Sequence, residues 1–404
     1  MKILYVVHRF LPCHLTGSEK VFAVLSVAVA RATSHEVVVA TGNIDTTRDY
    51  YHPPQTTFPG TEILSGVRVI RLKVNWAFGA VCYLLNRFLP FVDTWTRGAF
   101  GVFSLGPHIT QLEDVMLQER PAVIHTGPAP LYHVYETGEL ALRHGIPLII
   151  SPMIHFDDVP AFRNPRLYAL LAKATAVIVS TEYEKGRLIE EGVEPARISV
   201  IPPTFLSADD FESGDGQAFR RQHELGDDPM VLFLGSKDFG KGGLHVLEAW
   251  PTIRAAVPRA RLVCAGTGTP RWNKAVRSKG LQGVIDLDYI DEKEKHNLLA
   301  ACDLLCLPSQ AESFGIVIAE AWAKRKPVIG GSAGATREMV TEGAEGFTVK
   351  FGDVAAISAR VIELLSDPEA RERLGRNGRT KAERWTEDYV VRNTVALYEK
   401  VGSR

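Results

Sequence analysis

Short apolar runs bounded by polar or turn-forming residues recur through the first half of the chain. The run ILYVV at residues 3–7 precedes a loop and the helical pattern KVFAVLSVAVARA, and further runs follow at HEVVVAT, VRVIRL, AVIHT, PLIISP and AVIVS. Buried runs that alternate with helical segments are typical of a parallel sheet covered on both faces. The pattern therefore predicts a first doubly wound, Rossmann-like domain over residues 1–204.

The same pattern restarts after a polar linker. Pro202-Pro203 is followed by LSADDFESGDGQ, in which Ser, Asp and Gly cluster as they do in linkers. Beyond it, the runs MVLFLG, ARLVCAG, VIDLDYI, DLLCLPS and KPVIGG predict a second doubly wound domain over residues 205–387. We expect ligands to bind beyond the carboxyl ends of these strands. The C-terminal helix, residues 388–404, is expected to pack back on the first domain.

Composition and charge exclude several classes of protein. The chain has 404 residues, 46% of them hydrophobic and 23% charged, and its formal net charge of -1 argues against a nucleic-acid-binding protein. The five cysteines are scattered, and Cys302 and Cys306 have no neighbouring set of Cys or His partners, so a zinc site is not expected. MKILYVVHRF lacks the apolar length of a secretory signal, and no apolar stretch reaches the roughly eighteen residues of a membrane span. We expect a cytoplasmic protein.

Residues 74–103 are unusually rich in aromatic side chains. These are Trp76, Phe78, Tyr83, Phe88, Phe91, Trp95, Phe100 and Phe103. One interpretation is an amphipathic element that contacts the inner face of the cell membrane peripherally, or that covers an apolar, lipid-linked acceptor. The other interpretation is a helix pair packed on the first sheet. The pattern leaves both open.

The first candidate site is the segment VLFLGSKDFGKGGLHVLEAW. A predicted strand ends at Gly235, the loop carries Lys237 and Lys241, and Gly242-Gly243 leads into a helix. Glycines permit close backbone approach, and a helix N-terminus beside a lysine favours a phosphate or diphosphate. The segment is not a P-loop, because Gly242 stands where that motif has Ser or Thr. A solvated turn is the alternative interpretation.

A second segment suggests a different class of protein. In ARLVCAGTGTPRWNKAVRSKGLQGVIDLD, Gly266 and Gly268 follow a strand and Asp286 comes about twenty residues later, as in a dinucleotide-binding fingerprint. The third glycine of that fingerprint is Arg271 here, so the alternative of an NAD(P)-dependent oxidoreductase rests on a partial match. Asp286 and Asp288 also resemble a metal-binding pair. No third acidic ligand is evident in the sequence, so no metal is expected.

The third candidate site is QAESFGIVIAEAW, residues 310–322, which carries Glu312 and Glu320. The strand CDLLCLPS precedes it, so Glu312 is predicted to lie on a loop, whereas Glu320 is predicted to lie about 7 Å along the following helix. The two carboxylates are therefore not expected to form a side-by-side acid and base pair. Their placement suits hydrogen bonds to hydroxyl groups on either side of a diphosphate.

The stretch from Glu312 to Glu320 is an E-x7-E motif that resembles that of the retaining glycosyltransferases of family 4. These enzymes have the GT-B fold, an α/β architecture of two doubly wound Rossmann-like domains facing a central cleft. Other segments match the family in order along nearly the whole chain. TGSE resembles the GGAE loop, PLIISPMIHFDD the segment with a cleft histidine, and GSKDFGKGG the G-R-x-x-x-x-K-G loop.

The resemblance implies a hexosyltransferase of the EC 2.4 class. It would move a sugar, with retention, from a UDP- or GDP-sugar to an acceptor hydroxyl in glycan, cell-envelope or glycolipid biosynthesis, without a metal or other cofactor. The implied catalytic residues are His155, Lys241 and Glu312. The implied donor-binding residues are Gly17, Ser236, Lys237, Ile290, Ser313, Phe314, Gly315, Ile316 and Glu320.

Within this resemblance, Glu320 would bind the ribose, Glu312 the donor sugar and Lys241 the leaving diphosphate. Three features depart from the family pattern: Ser236 replaces an arginine, the segment from Ile201 to Leu206 replaces the usual I-P-N-G-V-D turn, and Gly127, after PAVIHT, replaces the second histidine of the family's H-x-H. The missing arginine leaves open a non-catalytic protein that binds nucleotide sugars.

Overall fold

The structure is a computed structural model that describes residues 1–13, 15, 17–54, 57–88, 102–103, 105–156, 162 and 164–403. The chain separates into two compact units, Met1–Pro203 with Asp388–Arg404, and Thr204–Glu387. Parts of three sequence predictions lie outside the described residues, namely Thr16 of TGSE, residues 89–101 of the aromatic-rich segment, and Asp157 and Asp158 after His155.

The first unit is built on one sheet. Its strands are β1 (Lys2–Val7), β2 (Glu36–Gly42), β3 (Gly60–Leu64), β4 (Val67–Leu72), β5 (Val123–Thr126), β6 (Leu148–Ile150), β7 (Ala176–Val179) and β8 (Ile198–Val200). Among the described residues they lie in the order β3-β4-β2-β1-β5-β6-β7-β8. β3 pairs antiparallel with β4, whereas the strands from β4 to β8 pair in parallel.

Helices connect these strands. They are α1 (Gly17–Ala32), α2 (Trp76–Phe88), α3 (Leu112–Glu119), α4 (Tyr132–Arg143), α5 (Pro165–Lys173) and α6 (Glu182–Glu190), with short 3-10 turns at Thr47–Tyr50 and Pro195–Arg197. Residues Ile3 to Val7 of β1 are each at most 2% exposed. Helices on both faces of a sheet bury alternate side chains equally, which is why this strand is an unbroken apolar run.

The second unit contains a smaller parallel sheet. Its strands are β9 (Met230–Leu234), β10 (Arg261–Ala265), β11 (Val284–Leu287), β12 (Leu304–Leu307), β13 (Val328–Gly331) and β14 (Gly346–Val349). The described residues give the order β11-β10-β9-β12-β13-β14. The chain runs outward from β9 to β11 on one side and then returns to β12 on the other. The strand order therefore reverses beside β9, where ligands bind in doubly wound sheets.

The helices of the second unit cover both faces of this sheet. They are α7 (Ala208–Glu212), α8 (Gly216–Gln222), α9 (Gly243–Ala256), α10 (Pro270–Lys279), α11 (Glu292–Ala301), α12 (Ile316–Ala323), α13 (Gly334–Met339), α14 (Val354–Ser366) and α15 (Pro368–Ala382). Trp250, Trp272 and Trp322 are the largest fully buried side chains of the core. Their burial holds α9, α10 and α12 against the sheet.

The last helix, α16 (Glu387–Gly402), packs on the sheet of the first unit. The hydroxyl group of Tyr398 lies 2.7 Å from the hydroxyl of Tyr5 on β1 and 2.6 Å from Nδ1 of His125 on β5. The other ring nitrogen of His125 lies 2.7 Å from the hydroxyl of Ser151. This buried chain of hydrogen bonds joins both ends of the sequence to the centre of the sheet.

Helix α2 is the described part of the aromatic-rich segment. Cys82 is buried, and the ring of Phe78 packs against His108 with the ring centres 4.6 Å apart. The same helix exposes Trp76, Phe78, Val81, Tyr83, Leu84 and Leu85 by between 36% and 52%, so Phe78 is packed on one side only. One face is therefore packed and another is apolar and exposed. Within the described ranges, every helix is too short or too polar to cross a membrane.

Candidate functional site

Two loops of the second unit meet beyond the carboxyl ends of adjacent strands. One loop follows β9 and the other follows β12. The backbone N–H of Gln310 donates a hydrogen bond to the carbonyl of Gly240 at 2.8 Å. A Cβ atom added to Gly242, whose φ is +77°, would lie 2.3 Å from the carbonyl oxygen of Pro308. Glycine is therefore required at position 242 both by backbone conformation and by the contact between the loops.

Lys241 and Glu312 form an ion pair across these loops. Nζ of Lys241 lies 2.7 Å from Oε1 of Glu312, and the hydroxyl of Ser309 donates to the same oxygen at 2.8 Å. The Glu312 side chain is 8% exposed and that of Lys241 is 28% exposed. Among the described residues, Oε2 of Glu312 has no hydrogen-bond partner. The site thus presents a partly exposed ammonium group and one open carboxylate oxygen.

A helix begins shortly after each residue of this ion pair. Helix α9 begins at Gly243, directly after Gly242, and α12 begins at Ile316, after Gly315 with a φ of +88°. The first N–H groups of a helix have no intrahelical partner and carry a partial positive charge. An anion placed at these ends would be stabilised by backbone groups as well as by Lys241.

The residues before α12 differ in what they can offer a ligand. The ring of Phe314 is 2% exposed and packs edge-on against Trp385, with the ring centres 5.2 Å apart. Its side chain therefore anchors the loop in the core and leaves its backbone for any ligand contact. Ser313 and Ile316 are half-buried on either side of it.

Glu320 lies in the second turn of α12 and pairs with a different lysine. Nζ of Lys295 lies 2.6 Å from Oε1 of Glu320 and 2.8 Å from Oε2 of Glu292. Burial lowers the pKa of Lys295, but the charges of Glu320 and Glu292 outweigh it and hold that pKa above its usual value. Ile290 is half-buried in the loop just before α11, the helix that carries Lys295.

Lys237 occupies a different environment from Lys241. Its side chain is 2% exposed, and its ammonium group lies 2.6 Å from Oδ1 of Asp286 and contacts the carbonyl of Leu287. The same group lies 5.5 Å from the ring centre of Trp272. These contacts tie the loop after β9 to β11, so the ammonium group of Lys237 serves the packing of the unit.

Ser236 orders the loop in which the family pattern has an arginine. Its hydroxyl donates to Oδ2 of Asp238, and Oδ1 of Asp238 accepts the backbone N–H of Lys241 at 3.0 Å. Ser236 therefore shapes the turn that presents Lys241 and adds no positive charge there.

The partial dinucleotide fingerprint has a packing explanation. A Cβ atom on Gly266 would lie 2.0 Å from the carbonyl oxygen of Gly235, so the glycine allows two neighbouring loops to touch. Asp286 accepts hydrogen bonds from Lys237 and from Nε1 of Trp272, the latter at 3.1 Å, instead of presenting an open carboxylate for a ribose. In the part of the chain that the structure describes, no cluster of three or more His, Cys, Asp or Glu side chains is placed to hold a metal ion.

Two predicted site residues, Gly17 and His155, belong to the first unit. Gly17 begins α1 with a φ of +48°, and a Cβ atom there would meet open space. The ring of His155 lies 5.8 Å from that of Phe162, measured between the ring centres. Met153, two residues earlier, has a φ of +53°, which is strained for a side chain of its size.

The TGSE segment contributes a buried carboxylate that sequence reasoning gave no role. Glu19 lies 2.7 Å from Nε2 of His8 and 3.0 Å from Nε of Arg9. Burial raises the pKa of Glu19, but His8 and Arg9 outweigh it and lower that pKa to about 2. The charged pair fixes α1 to the loop that follows β1.

Sequence reasoning also missed Ser309 and Lys295, which hold the two glutamates of the E-x7-E motif. The position of Ser309, three residues before Glu312, is a local signal that could have identified it. Lys295 has no such signal, because its partner lies on another helix.

Comparisons with known proteins identify the family of the chain. Residues 16–204 match the family model described as glycosyl transferase 4-like domain, and residues 215–381 match the one described as glycosyl transferases group 1. The chain is 27% identical over 212 residues to an alpha-D-kanosaminyltransferase of Streptomyces kanamyceticus, covering 51% of this chain and 55% of that protein. It is 32% identical over 181 residues to a phosphatidyl-myo-inositol mannosyltransferase of Propionibacterium freudenreichii, covering 44% of this chain and 45% of that protein. The chain therefore spans about half the length of the curated relatives it matches.

Two solved structures have a similar fold over the full chain. HepE of Anabaena, solved with UDP and glucose, has a TM-score of 0.74 at 18% identity, with 99% of this chain and 100% of that chain covered. Sucrose-phosphate synthase of Thermosynechococcus elongatus has a TM-score of 0.74 at 20% identity, with complete coverage of both chains. The likeness confirms the predicted GT-B fold.

Proposed function

The chain belongs to the group 1 glycosyl transferases, and on that premise we propose that it is a retaining hexosyltransferase. It moves a sugar from a nucleotide-diphosphate sugar, UDP- or GDP-linked, to an acceptor hydroxyl. The observation that carries this proposal is the ion pair between Lys241 and Glu312 beside the beginnings of α9 and α12.

The proposed chemistry requires charge stabilisation on the departing diphosphate. Lys241 supplies a full positive charge, and the N-termini of α9 and α12 supply backbone N–H groups and partial positive charge. Fixed donors of this kind stabilise charge as it develops on the leaving group. In this proposal the chain's own residues supply that charge, and no cofactor is required.

Glu312 and Glu320 are proposed to bind hydroxyl groups at opposite ends of the donor. An ionised carboxylate accepts hydrogen bonds but donates none, so it suits sugar hydroxyls and repels phosphate. Each of the two carboxylates has Oε1 occupied by a lysine, which leaves Oε2 for a ligand. Glu312 would contact the transferred sugar and Glu320 the ribose. Ile290 would contact the base, while Ser313, Phe314, Gly315 and Ile316 would contribute backbone groups.

Three of the predicted site residues receive narrower roles. Lys237 is proposed to support the loop after β9, because its ammonium group is buried against Asp286. Gly17 and His155 are proposed to act from the first unit, on the strength of the family resemblance.

The acceptor is proposed to be a glycan or a lipid-linked molecule in cell-envelope or glycolipid synthesis. The exposed apolar face of α2 supports a peripheral contact with the inner face of the cell membrane. The relatives include a phosphatidyl-myo-inositol mannosyltransferase, a name that is compatible with a lipid-linked acceptor.

A panel of nucleotide sugars tests the proposal. A true donor raises the melting temperature of the protein, because it binds the folded state alone, and its hydrolysis or transfer releases nucleoside diphosphate. If nucleotide sugars raise the melting temperature but no nucleoside diphosphate is released with any of many acceptors, a non-catalytic nucleotide-sugar-binding protein is favoured. Stabilisation by NAD(P) and by no nucleotide sugar would overturn the proposal in favour of an oxidoreductase.

A further inference from the structure

Lys295 holds the second glutamate of the E-x7-E motif from outside the motif. Its ammonium group lies 2.6 Å from Oε1 of Glu320 and 2.8 Å from Oε2 of Glu292. The side chains of Lys295 and Glu320 are each 13% exposed, whereas that of Glu292 is 58% exposed. The inner contact, between Lys295 and Glu320, is therefore shielded from water and correspondingly strong, while the outer contact is screened.

We propose that Lys295 is a positioning residue that aligns Glu320 for the ribose hydroxyls of the nucleotide and so sets a preference for ribonucleotides over deoxyribonucleotides. The inference rests on the proposed function. It adds a residue to the donor site that neither the motif nor the family resemblance identified.

The contact between Lys295 and Glu320 restricts the conformations of the glutamate. A glutamate on a helix has several rotamers, and fixing one of them costs conformational entropy. Because Lys295 binds Oε1, the Glu320 side chain is already held in one orientation when a ligand arrives. Among the described residues, Oε2 of Glu320 has no hydrogen-bond partner and is left to accept from a hydroxyl group. Preorganisation of this kind raises affinity by reducing the ordering cost of binding.

A carboxylate such as that of Glu320 also discriminates between the chemical groups of a nucleotide. A carboxylate can accept hydrogen bonds from a hydroxyl group, but it repels a phosphate and gains nothing from a C–H group. A nucleotide that lacks the contacted hydroxyl leaves a half-buried charged acceptor unsatisfied, which is costly. The alignment of Glu320 therefore affects the ribose much more than the diphosphate.

The position of Lys295 in the fold supports the same role. It lies in the second turn of α11, whose N-cap is Asp291, and the loop before this helix carries Ile290. Its bond to Glu320 joins α11 to α12. One lysine thus links the loop proposed to contact the base with the helix proposed to contact the ribose, so both parts of a nucleoside would be recognised by one rigid arrangement.

The inference is tested by calorimetric binding of UDP and GDP, and of their 2′-deoxy and 3′-deoxy forms, to the full chain. We expect Lys295→Met and Lys295→Gln to weaken binding of the preferred ribonucleotide about tenfold, with little change for the deoxy form that lacks the contacted hydroxyl. The ribo-to-deoxy ratio therefore falls toward one. Lys295→Arg, which keeps the charge, should restore most of that ratio.

Two comparisons separate positioning from a structural role. In a Glu320→Gln background, Lys295→Met should have no further effect on the ratio, because the lysine acts through that carboxylate. Glu292→Gln is the matched control, since it removes the exposed partner of the same lysine and should leave the ratio unchanged. Thermal unfolding of each variant shows whether it is folded.

An unchanged ribo-to-deoxy ratio in folded Lys295→Met or Lys295→Gln would overturn the inference while leaving the proposed function intact. The inference also fails if Glu292→Gln lowers the ratio as much as Lys295→Met does. Failure of the wild-type protein to bind any of these nucleotides would instead overturn the proposed function and the inference with it.

Discussion

Nζ of Lys241 lies 2.7 Å from Oε1 of Glu312, although the two residues belong to loops that follow different strands. The hydroxyl of Ser309 donates to the same carboxylate oxygen at 2.8 Å. Because β9 and β12 are neighbours in the sheet, the loops at their carboxyl ends are brought together. A diphosphate bound beside Lys241 would compete with Glu312 for the ammonium group, which couples donor binding to the orientation of the carboxylate.

Removal of Lys241 should slow transfer strongly while leaving the protein folded. We expect Lys241→Ala to lower kcat by about 100-fold or more, as loss of a single charge-stabilising donor does elsewhere. Release of nucleoside diphosphate from the accepted donor measures the effect. Lys274→Ala is a suitable control, because Lys274 is an exposed lysine on α10 of the same unit. Equal rates for Lys241→Ala and the wild type would remove Lys241 from the reaction.

Removal of Lys237 should instead act on stability. Lys237→Ala leaves the carboxylate of Asp286 without its buried cation, and we expect the free energy of unfolding to fall by about 2 kcal/mol, below the usual cost because Asp286 is partly exposed. Denaturant unfolding measures this. The double variant Lys237→Met with Asp286→Asn should recover part of the loss, since no charge is then left unpaired. A stability equal to that of the wild type, with donor binding lost, would show that Lys237 contacts the ligand.

The contact between the two loops can be tested through Gly242. Gly242→Ala places a Cβ atom 2.3 Å from the carbonyl oxygen of Pro308 at a φ of +77°, so the loops must separate. We expect nucleotide-sugar affinity to fall about tenfold or more. Gly280→Ala is the matched control, because its φ of +50° is also positive but a Cβ atom there meets open space. Similar affinities for the two variants would indicate that backbone strain alone matters.

The stability of the first unit should depend on pH in two stages. Burial lowers the pKa of His125 and His133 to about 3, so their contribution to stability is lost as pH falls from about 6.5 to 3. Burial raises the pKa of Glu136 and Glu184 to about 7, and their contribution is lost as pH rises from about 4.5 to 7. The two effects oppose each other between about pH 4.5 and 6.5 and so reduce the dependence of stability on pH there.

Below pH 4.5 Glu136 and Glu184 no longer oppose the loss of stability that the histidines cause, and Glu19 adds to this loss. The pKa of Glu19, lowered to about 2, gives stability that is present above about pH 4.5 and lost as pH falls toward 2. We therefore expect a shallow dependence between pH 6.5 and 4.5 and a steep loss below it, measured by denaturant unfolding at each pH. His133→Gln should make the protein relatively more stable toward pH 4.5. A steady loss from pH 6.5 downward in the wild type would contradict this prediction.

Membrane contact through α2 predicts a loss of vesicle binding when its exposed face is made polar. Val81 and Leu84 are 52% and 51% exposed, so replacing both with Ser should leave the fold intact and reduce co-sedimentation with anionic vesicles several-fold. Leu117→Ser is the control, because Leu117 is 47% exposed on a different helix, α3. Undiminished co-sedimentation of the double variant would exclude this face as the contact.

Much of the fold follows from local sequence, because burial on both faces gives strands an apolar signature. The buried strands β1 and β9 appear as unbroken apolar runs. Edge strand β3, written GTEIL, was not predicted, since four of its five residues are exposed and the run carries no apolar pattern. The short strand β14 was also missed, because its four residues GFTV begin with a glycine and include a threonine.

The sequence alone indicated Lys241, Glu312 and Glu320 as candidate residues and the kind of element on which each lies, although it did not indicate Ser309 or Lys295. Glu312 follows a strand and Glu320 lies in a helix, as the breakers around them indicate. The tertiary structure decided the partners, because Lys241 meets Glu312 and Lys237 meets Asp286 through a strand order that apolar runs do not encode. Local patterns specify burial and hydrophobic periodicity, whereas the pairing of charges depends on which distant strands come to lie side by side or one strand apart in the sheet.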